Sequence, residues 1–244
     1  MYILAIETTG AYASVALAEA GETAFRVLTH VEGHDRYSHL QNLTPQIRQV
    51  LSDAGITVDD LDGIAVSHGP GSFTGIRIGV STARALSQVK GIPCVPVSSL
   101  EALALRADAA PGTLICPILD ARRSQVYGGG YLADGAAEGG PLKEAVKAGP
   151  YTIDEFMTLV RDYDQVLLLG DGVDTCGEKI KALRTGGVDF APEEIRYQRA
   201  EEVARLGAAG ILAGGGVTYE QLQPEYMRMA EAERKLRAKQ AEGR

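Results

Sequence analysis

The hydrophobic positions alternate along the first part of the chain and then take up a helical spacing. Short apolar runs over Tyr2 to Glu7, Ala13 to Ala18 and Thr23 to Leu28 are joined by tight turns, which predicts three strands. From Ser38 to Ala54, large apolar residues recur every three or four positions, which predicts an amphipathic helix that Gly55 ends. Alternating elements follow: a strand from Gly63 to Ser67, a helix from Thr74 to Lys90, a strand from Ile92 to Val97 and a helix from Ser99 to Asp108.

The same order of elements begins again after a break at residues 109–112, which contains proline and glycine. A hairpin is predicted first, and antiparallel strands followed by alternating strands and helices favour a mixed sheet with helices on its faces. The predicted elements are strands over Leu114 to Asp120, Gln125 to Leu132 and near Leu142 to Val146, a helix from Ile153 to Arg161, a strand from Gln165 to Gly170, and helices over Asp174 to Arg184 and Ala200 to Ala213.

This repetition predicts two subdomains and a tail. Residues 1–110 form the first unit, residues 111–217 a second, reduced copy, and residues 218–244 a polar tail. Within the tail, Glu231 with Lys235 and Glu233 with Arg237 have the i, i+4 spacing that supports a solvated helix.

Composition limits the classes of function. The 244 residues are 45% hydrophobic, enough for a real core, and the net charge of −8 argues against a broad nucleic-acid-binding face. Cys94, Cys116 and Cys176 show no metal or redox spacing and are expected to be reduced thiols in a cytoplasmic protein. The chain enters a strand at once and has no apolar run that would cross a bilayer, so we predict neither a leader nor a membrane partner.

The segment from His68 to Gly79 is rich in glycine and lies between a predicted strand and a predicted helix. Gly69-Pro70-Gly71 allows close backbone approaches, and Ser72 or Thr74 is placed to cap the helix. The spacing matches neither a P-loop nor a dinucleotide-binding loop. A tight structural turn and an anion-binding loop at a helix N-terminus both fit this composition.

The helix that follows has a face of small residues. Gly75, Gly79 and Ala83 have the spacing i, i+4, i+8, and a groove along them would admit another helix. Packing inside the chain and an interface with a second protein both explain such a groove, and we predict the interface. The predicted interface residues are Leu40, Leu43 and Ile47 from the earlier helix with Gly75, Ile78, Gly79, Thr82, Ala83 and Leu86.

These residues carry a resemblance to a known family. Gly-Pro-Gly-Ser-Phe-Thr-Gly-Ile-Arg-Ile-Gly at residues 69–79 resembles the signature of the TsaB family, an accessory subunit in bacterial tRNA threonylcarbamoyladenosine synthesis. Further matching segments lie at residues 3–9, 13–17, 38–45, 96–103, 119–127, 170–172, 223–226 and 231–235. Glu7 is a departure, because the family more often carries aspartate there.

The resemblance implies a duplicated actin-like, ribonuclease-H-like α/β fold with an eroded second subdomain. It implies a non-catalytic subunit that binds a TsaD-like enzyme, recruits a TsaE-like ATPase, forms a homodimer in isolation and meets tRNA only indirectly. An active ATP-dependent kinase or a metallopeptidase of the same superfamily is the alternative function.

The resemblance also implies a vestigial nucleotide cleft and no catalytic residue, cofactor or metal. TsaD carries two metal-binding histidines in a run that corresponds to Ser99 and Leu103 here, and leucine does not bind metal. His30 and His34 are spaced for a metal only on a helix, whereas the local pattern favours a strand end. The residues expected at the cleft are Glu7, Thr8, Thr9, Asp120, Arg122, Gly170 and Gly172.

Overall fold

The computed structural model describes residues 1–36, 38–133, 142–184 and 186–228. The strands are β1 Tyr2–Glu7, β2 Ser14–Ala20, β3 Phe25–Glu32, β4 Gly63–Gly69, β5 Cys94–Ser98, β6 Leu114–Asp120, β7 Gln125–Leu132, β8 Lys143–Thr152, β9 Val166–Leu169 and β10 Val188–Phe190. The helices are α1 His39–Ala54, α2 Phe73–Lys90, α3 Ser99–Ala104, α4 Ile153–Leu159, α5 Gly172–Leu183 and α6 Ala200–Leu212. Short 3-10 helices lie at Val58–Asp60 and Glu193–Ile195.

The strands form two five-stranded sheets of identical topology. The first has the order β3-β2-β1-β4-β5, and the second, from its other edge, has the order β8-β7-β6-β9-β10. In each sheet the first three strands are antiparallel, and the fourth strand pairs in parallel with the first. This repetition confirms the predicted duplicated α/β fold of the actin-like class.

The first sheet is covered on both faces. Helices α1 and α2 cover one face, where Leu43, Ile47, Ile76 and Val80 share a core with β1, β2 and β4. Helix α6 covers the other face with small residues, and Gly207 lies against the side chain of Ala65. Burial on both faces explains why β1 reads as an apolar run instead of alternating with polar residues. We call this sheet with α1, α2 and α6 the first lobe.

The second sheet carries α4 and α5 on one face, where Phe156 and Ile180 are fully buried. On its other face lies α3, whose Leu100 and Leu103 pack with Ile115. Helix α3 contacts strands of both sheets and therefore joins them. We call the second sheet with α4 and α5 the second lobe.

Two assignments made from the sequence are wrong. Helix α6 follows the second sheet along the chain but packs on β1, β2, β4 and β5 of the first, because its small residues fit that face. Residues 218–228 are not a solvated helix, because Leu222 is fully buried in the first lobe. The predicted ion pairs of the tail lie outside the described residues, and the unit boundaries at residues 110 and 217 stay predictions.

Two further differences concern the second sheet. Strand β8 spans ten residues, longer than predicted, and β10, with three residues, has too short a pattern to be predicted. In the described part of the chain, none of the helices combines the length and the apolar character needed to cross a membrane.

Candidate functional site

A cavity of about 770 Å³ lies between the two lobes. Four segments supply most of its lining: the turn after β1, the loop before α2, the turn after β6 and the chain segment 225–228. Asp171 and Gln198 also line it. The first and third segments occupy equivalent places in the repeated topology, one after the first strand of each sheet.

The turn after β1 directs its carboxylate away from the cavity. Glu7 is fully buried, where its Oε1 accepts hydrogen bonds from the Thr9 N–H (2.5 Å) and the Thr9 hydroxyl (2.7 Å). Its Oε2 accepts one from the Ser67 hydroxyl on β4. Burial raises the pKa of this carboxyl group, while the donors from Ser67 and Thr9 act in the opposite direction. Glu7 is therefore a structural residue of the first lobe.

The two threonines that follow Glu7 lie on different sides of the turn, one in the core and one at the cavity. Thr8 is fully buried and donates from its hydroxyl to the Gly75 carbonyl oxygen of α2 (2.8 Å). Thr9 lines the cavity, and its carbonyl oxygen accepts a hydrogen bond from the Ser72 N–H (2.8 Å). Of the three predicted cleft residues in this turn, the structure places only Thr9 at the cavity.

The glycine-rich loop is both a structural turn and a wall of the cavity. Gly69-Pro70 is a cis peptide, and Ser72 is the residue that caps α2, accepting from the Gly75 N–H (3.2 Å). Pro70, Gly71 and Ser72 line the cavity, so the two interpretations made from the sequence are compatible.

The turn after β6 is open and cationic. Asp120 and Arg122 line the cavity, and Asp120 Oδ1 accepts a hydrogen bond from the Arg122 N–H (2.7 Å). Arg122, Arg123 and Ser124 all have positive φ angles, between 56° and 62°. Such angles are unfavourable for residues with a side chain, so this turn stores backbone strain that a glycine would relieve.

A second carboxylate at the cavity, Asp171, was missed as a site residue. It lies between the predicted glycines 170 and 172, and its Oδ1 accepts a hydrogen bond from the Asp120 N–H (2.8 Å). Burial raises its pKa, and the charge of Asp120 adds to this effect. The two glycines lie behind it against the Ile118 carbonyl oxygen and do not line the cavity. The Gly-Asp-Gly sequence was the available signal.

The predicted interface splits into an inner and an outer set. A Cβ atom on Gly75 would overlap the Thr8 carbonyl oxygen, and one on Gly79 would overlap the Thr8 hydroxyl. Ala83, Leu43 and Ile47 are likewise buried in the core of the first lobe. Assigning these five residues to an exposed partner surface is therefore wrong, because all five are buried within the first lobe and Thr8 occupies the groove beside the two glycines.

The outer set forms an exposed apolar stripe. Leu40 is 78% exposed on α1, and Ile78, Thr82 and Leu86 are half-buried along α2. Val89, which is 73% exposed, extends the stripe three residues beyond Leu86. Val89 was not among the predicted interface residues, although its spacing from Thr82 and Leu86 places it on that side of the helix. We call Leu40, Ile78, Thr82, Leu86 and Val89 the outer stripe.

Residues considered as metal ligands lie apart. His30 is on β3 and approaches Glu201 of α6 (3.8 Å), whereas His34 follows the end of that strand. Ser99 and Leu103 are both fully buried in α3. Among the described residues no three His, Cys, Asp or Glu side chains are grouped as a metal site would require.

Comparison with known proteins gives a consistent set of relatives. Residues 35–235 match the family model of TsaD, tRNA N6-adenosine threonylcarbamoyltransferase. The tRNA threonylcarbamoyladenosine biosynthesis protein TsaB of Bacillus subtilis is 33% identical over 96% of this chain and 97% of its own length. The TsaB of Escherichia coli is 30% identical over 98% of this chain and all of its own length. The structure of YeaZ from Pseudomonas aeruginosa superposes with a TM-score of 0.76 at 26% identity, covering 92% of this chain and 99% of that one.

Proposed function

This chain belongs to the TsaB family of tRNA threonylcarbamoyladenosine biosynthesis proteins, and from that premise we propose that it is a non-catalytic subunit that binds a TsaD-like enzyme. In this proposal it supports the transfer of threonylcarbamoyl to adenosine of tRNA. The observation that carries the proposal is the outer stripe, an apolar surface on α1 and α2. The small residues Gly75 and Gly79 of α2 face inward, so the larger apolar side chains of this helix are left on the outside.

The charge of α2 supports a partner interface on this surface. Helix α2 contains Arg77, Arg84 and Lys90 and no acidic residue, although the whole chain has a net charge of −8. Apolar side chains surrounded by arginines are typical of protein interfaces, where arginine is enriched and acidic residues are depleted. A partner surface with apolar and acidic residues would complement it, and a second copy of this chain would compete for the same stripe.

Binding to the TsaD-like enzyme tests the proposal directly. We expect Leu40→Asp and Val89→Asp each to weaken the complex by about tenfold or more, because truncating or charging a central interface side chain costs about 1–2 kcal/mol or more. Both side chains are mostly exposed, so the variants should keep the circular dichroism spectrum and unfolding midpoint of the parent protein. Isothermal titration calorimetry measures the affinity, and light scattering measures the homodimer.

Leu159→Asp is the matched control, because Leu159 is an exposed leucine of the second lobe (46% exposed). It should bind the enzyme like the parent protein. Full affinity in the Leu40 and Val89 variants would refute the outer stripe as the interface, whereas equal loss in the Leu159 variant would show that binding depends on overall charge.

The alternative function is an active ATP-dependent enzyme with the cleft as its active site. We propose instead that this chain is inactive alone, because the carboxylate of Glu7 is turned into the core and the carboxylate of Asp171 is bonded to the turn after β6. A purified sample should show no ATP turnover above background. Turnover that Asp120→Asn abolishes would establish a working active site and contradict the proposal.

The remaining parts of the proposal concern the wider assembly. We propose that the TsaE-like ATPase joins the complex formed with the TsaD-like enzyme and that tRNA contacts the other subunits, because this chain is acidic. The cytoplasmic location stays a prediction.

A further inference from the structure

Residues 222–228, which we call the clasp, run from the first lobe across the opening of the cleft to the second lobe. Leu222 is fully buried in the core below α1 and α2, which anchors the start of the clasp. The Glu225 N–H donates to the His68 carbonyl oxygen at the end of β4 (2.8 Å), and the His68 ring faces the Glu225 carboxylate (3.3 Å). The clasp is thus attached to the first lobe through its backbone as well as its side chains.

The middle of the clasp is held by an aromatic and cationic layer on α2. The ring of Tyr226 stacks on Phe73 with a centroid distance of 4.6 Å. Arg77 lies over the Phe73 ring (4.1 Å) and donates from Nε to the Tyr226 hydroxyl (3.0 Å). Stacking and cation–π contacts of this kind stabilise the position of an aromatic side chain even at a partly exposed site.

The end of the clasp contacts the second lobe. Arg228 donates from Nη1 to the Ala121 carbonyl oxygen (2.9 Å), within the cationic turn after β6. Met227 packs against the apolar cluster that contains Leu119 and, at its edge, Tyr127. Residues 225–228 also line the cleft, so the clasp closes part of its opening.

We propose that the clasp is a built-in connection that sets the relative orientation of the two lobes in place of a ligand in the cleft. An open cavity of about 770 Å³ provides few contacts between the surfaces that it separates. The clasp supplies contacts at the opening, and α3 supplies them at the closed side. The cleft therefore keeps its geometry when nothing is bound, and the distance between the lobes varies more when Tyr226 and Arg228 leave their sites.

Spin labels on rigid helices of the two lobes test the proposal in the full chain. Gln88→Cys on α2 and Glu178→Cys on α5 provide exposed label sites, whereas the native cysteines are buried. Burial also raises the thiol pKa of Cys94 and Cys116, which slows their reaction with the label. Double electron–electron resonance spectroscopy then reports the distribution of distances between the two labels, and hence between the lobes, without added ligand.

The double variant Tyr226→Ala with Arg228→Ala should broaden that distribution. It should also accelerate amide exchange at residues 121 and 125, whose N–H groups bond within the turn after β6, by about tenfold. Arg228→Lys with Tyr226 intact keeps a cation near Ala121 and should keep the narrow distribution.

Tyr219→Ala is the matched control, because the Tyr219 hydroxyl donates to the carboxylate of its neighbour Glu220 (3.2 Å) and the residue does not line the cleft. It should leave both readouts at the parent values. A narrow distribution and unchanged exchange in the double variant would overturn the proposal, and so would equal broadening in the Tyr219 variant, which would indicate general loosening.

Discussion

The two lobes have the same strand order, yet their equivalent turns differ in almost every physical property. After β1, Glu7 is buried, bonded by Ser67 and Thr9, and backed by the glycines of α2. After β6, Asp120 is exposed, and three consecutive residues with side chains have positive φ angles. The same topology therefore holds two different turns, because Ser67 and Thr9 hold the Glu7 carboxylate in the core, whereas the Asp120 carboxylate accepts from the Arg122 N–H of its own turn.

The helices show the same contrast. In the first lobe, α2 approaches β1 so closely that Gly75 and Gly79 have no space for a side chain. In the second lobe, Gly177 lies within α5 with no atom within 4 Å of its would-be Cβ. Glycine thus marks close packing at Gly75 and Gly79 of α2, whereas at Gly177, in the middle of α5, it fills a helix position that nothing contacts.

The largest expected effect comes from exchanging these glycines for alanine. Gly75→Ala should lower the free energy of unfolding by about 3 kcal/mol, because its Cβ would overlap a backbone carbonyl oxygen that has no room to move. Gly177→Ala should raise it by about 0.5–1 kcal/mol through helix propensity. Urea unfolding of both variants measures the difference. Equal effects would mean that the two helices pack alike and would remove this contrast between the lobes.

The buried carboxyl group of the first turn should make stability depend on pH. Because its folded-state pKa is raised above the ordinary value of 4.5, the folded chain retains this proton while the unfolded chain loses it. The contribution of Glu7 is therefore most favourable below about pH 4.5 and declines as the pH rises toward the folded-state pKa. Glu7→Gln should therefore gain stability relative to the parent as the pH rises through that range.

Urea unfolding at several pH values, from about 4 to 8, measures this difference. Glu22→Gln removes the same charge from an exposed turn and serves as the control for net charge. A constant difference between the Glu7 variant and the parent across this range would show that the hydrogen-bond donors fully offset the burial.

The smallest effect is expected in the strained second turn. Ser124→Gly should raise the free energy of unfolding by up to about 1 kcal/mol, because its φ angle of 58° is unfavourable for a residue with a side chain. Gly55→Ser is the reverse change at a similar φ of 69°, at the end of α1, with nothing near its would-be Cβ. Gly55→Ser should lower the free energy of unfolding by a similar amount. Thermal unfolding of the two variants tests whether one is more stable and the other less stable than the parent. Two changes in the same direction would contradict the strain assigned to this turn.

Several features of this fold were predictable because their causes are local. Apolar runs predicted the strands of both sheets except β10, Gly55 ends α1 with a positive φ, and Ser72 caps α2. The repeated order of elements predicted the duplication, and the residues around Gly75 predicted the family. Each of these features depends on residues that are close in the sequence, so a single amino-acid sequence is enough to predict it.

Which side of α2 faces the core could not be predicted without the tertiary structure. Spacing placed Gly75, Gly79 and Ala83 on one side of the helix, but spacing is equally consistent with a strand or a second protein against that side. The position of Thr8 resolved this, because its backbone occupies the groove and leaves Ile78, Leu86 and Val89 on the outside.

Local patterns along the chain were enough to predict nearly all of the elements, the duplicated topology and the family, since propensity, periodicity and capping act over a few residues. The folded structure was needed to show that α6 belongs to the first lobe, that Glu7 points inward and that residues 222–228 cross the cleft. These are contacts between residues far apart in the chain, and the free energy that selects them comes from the shapes of surfaces that exist only after folding.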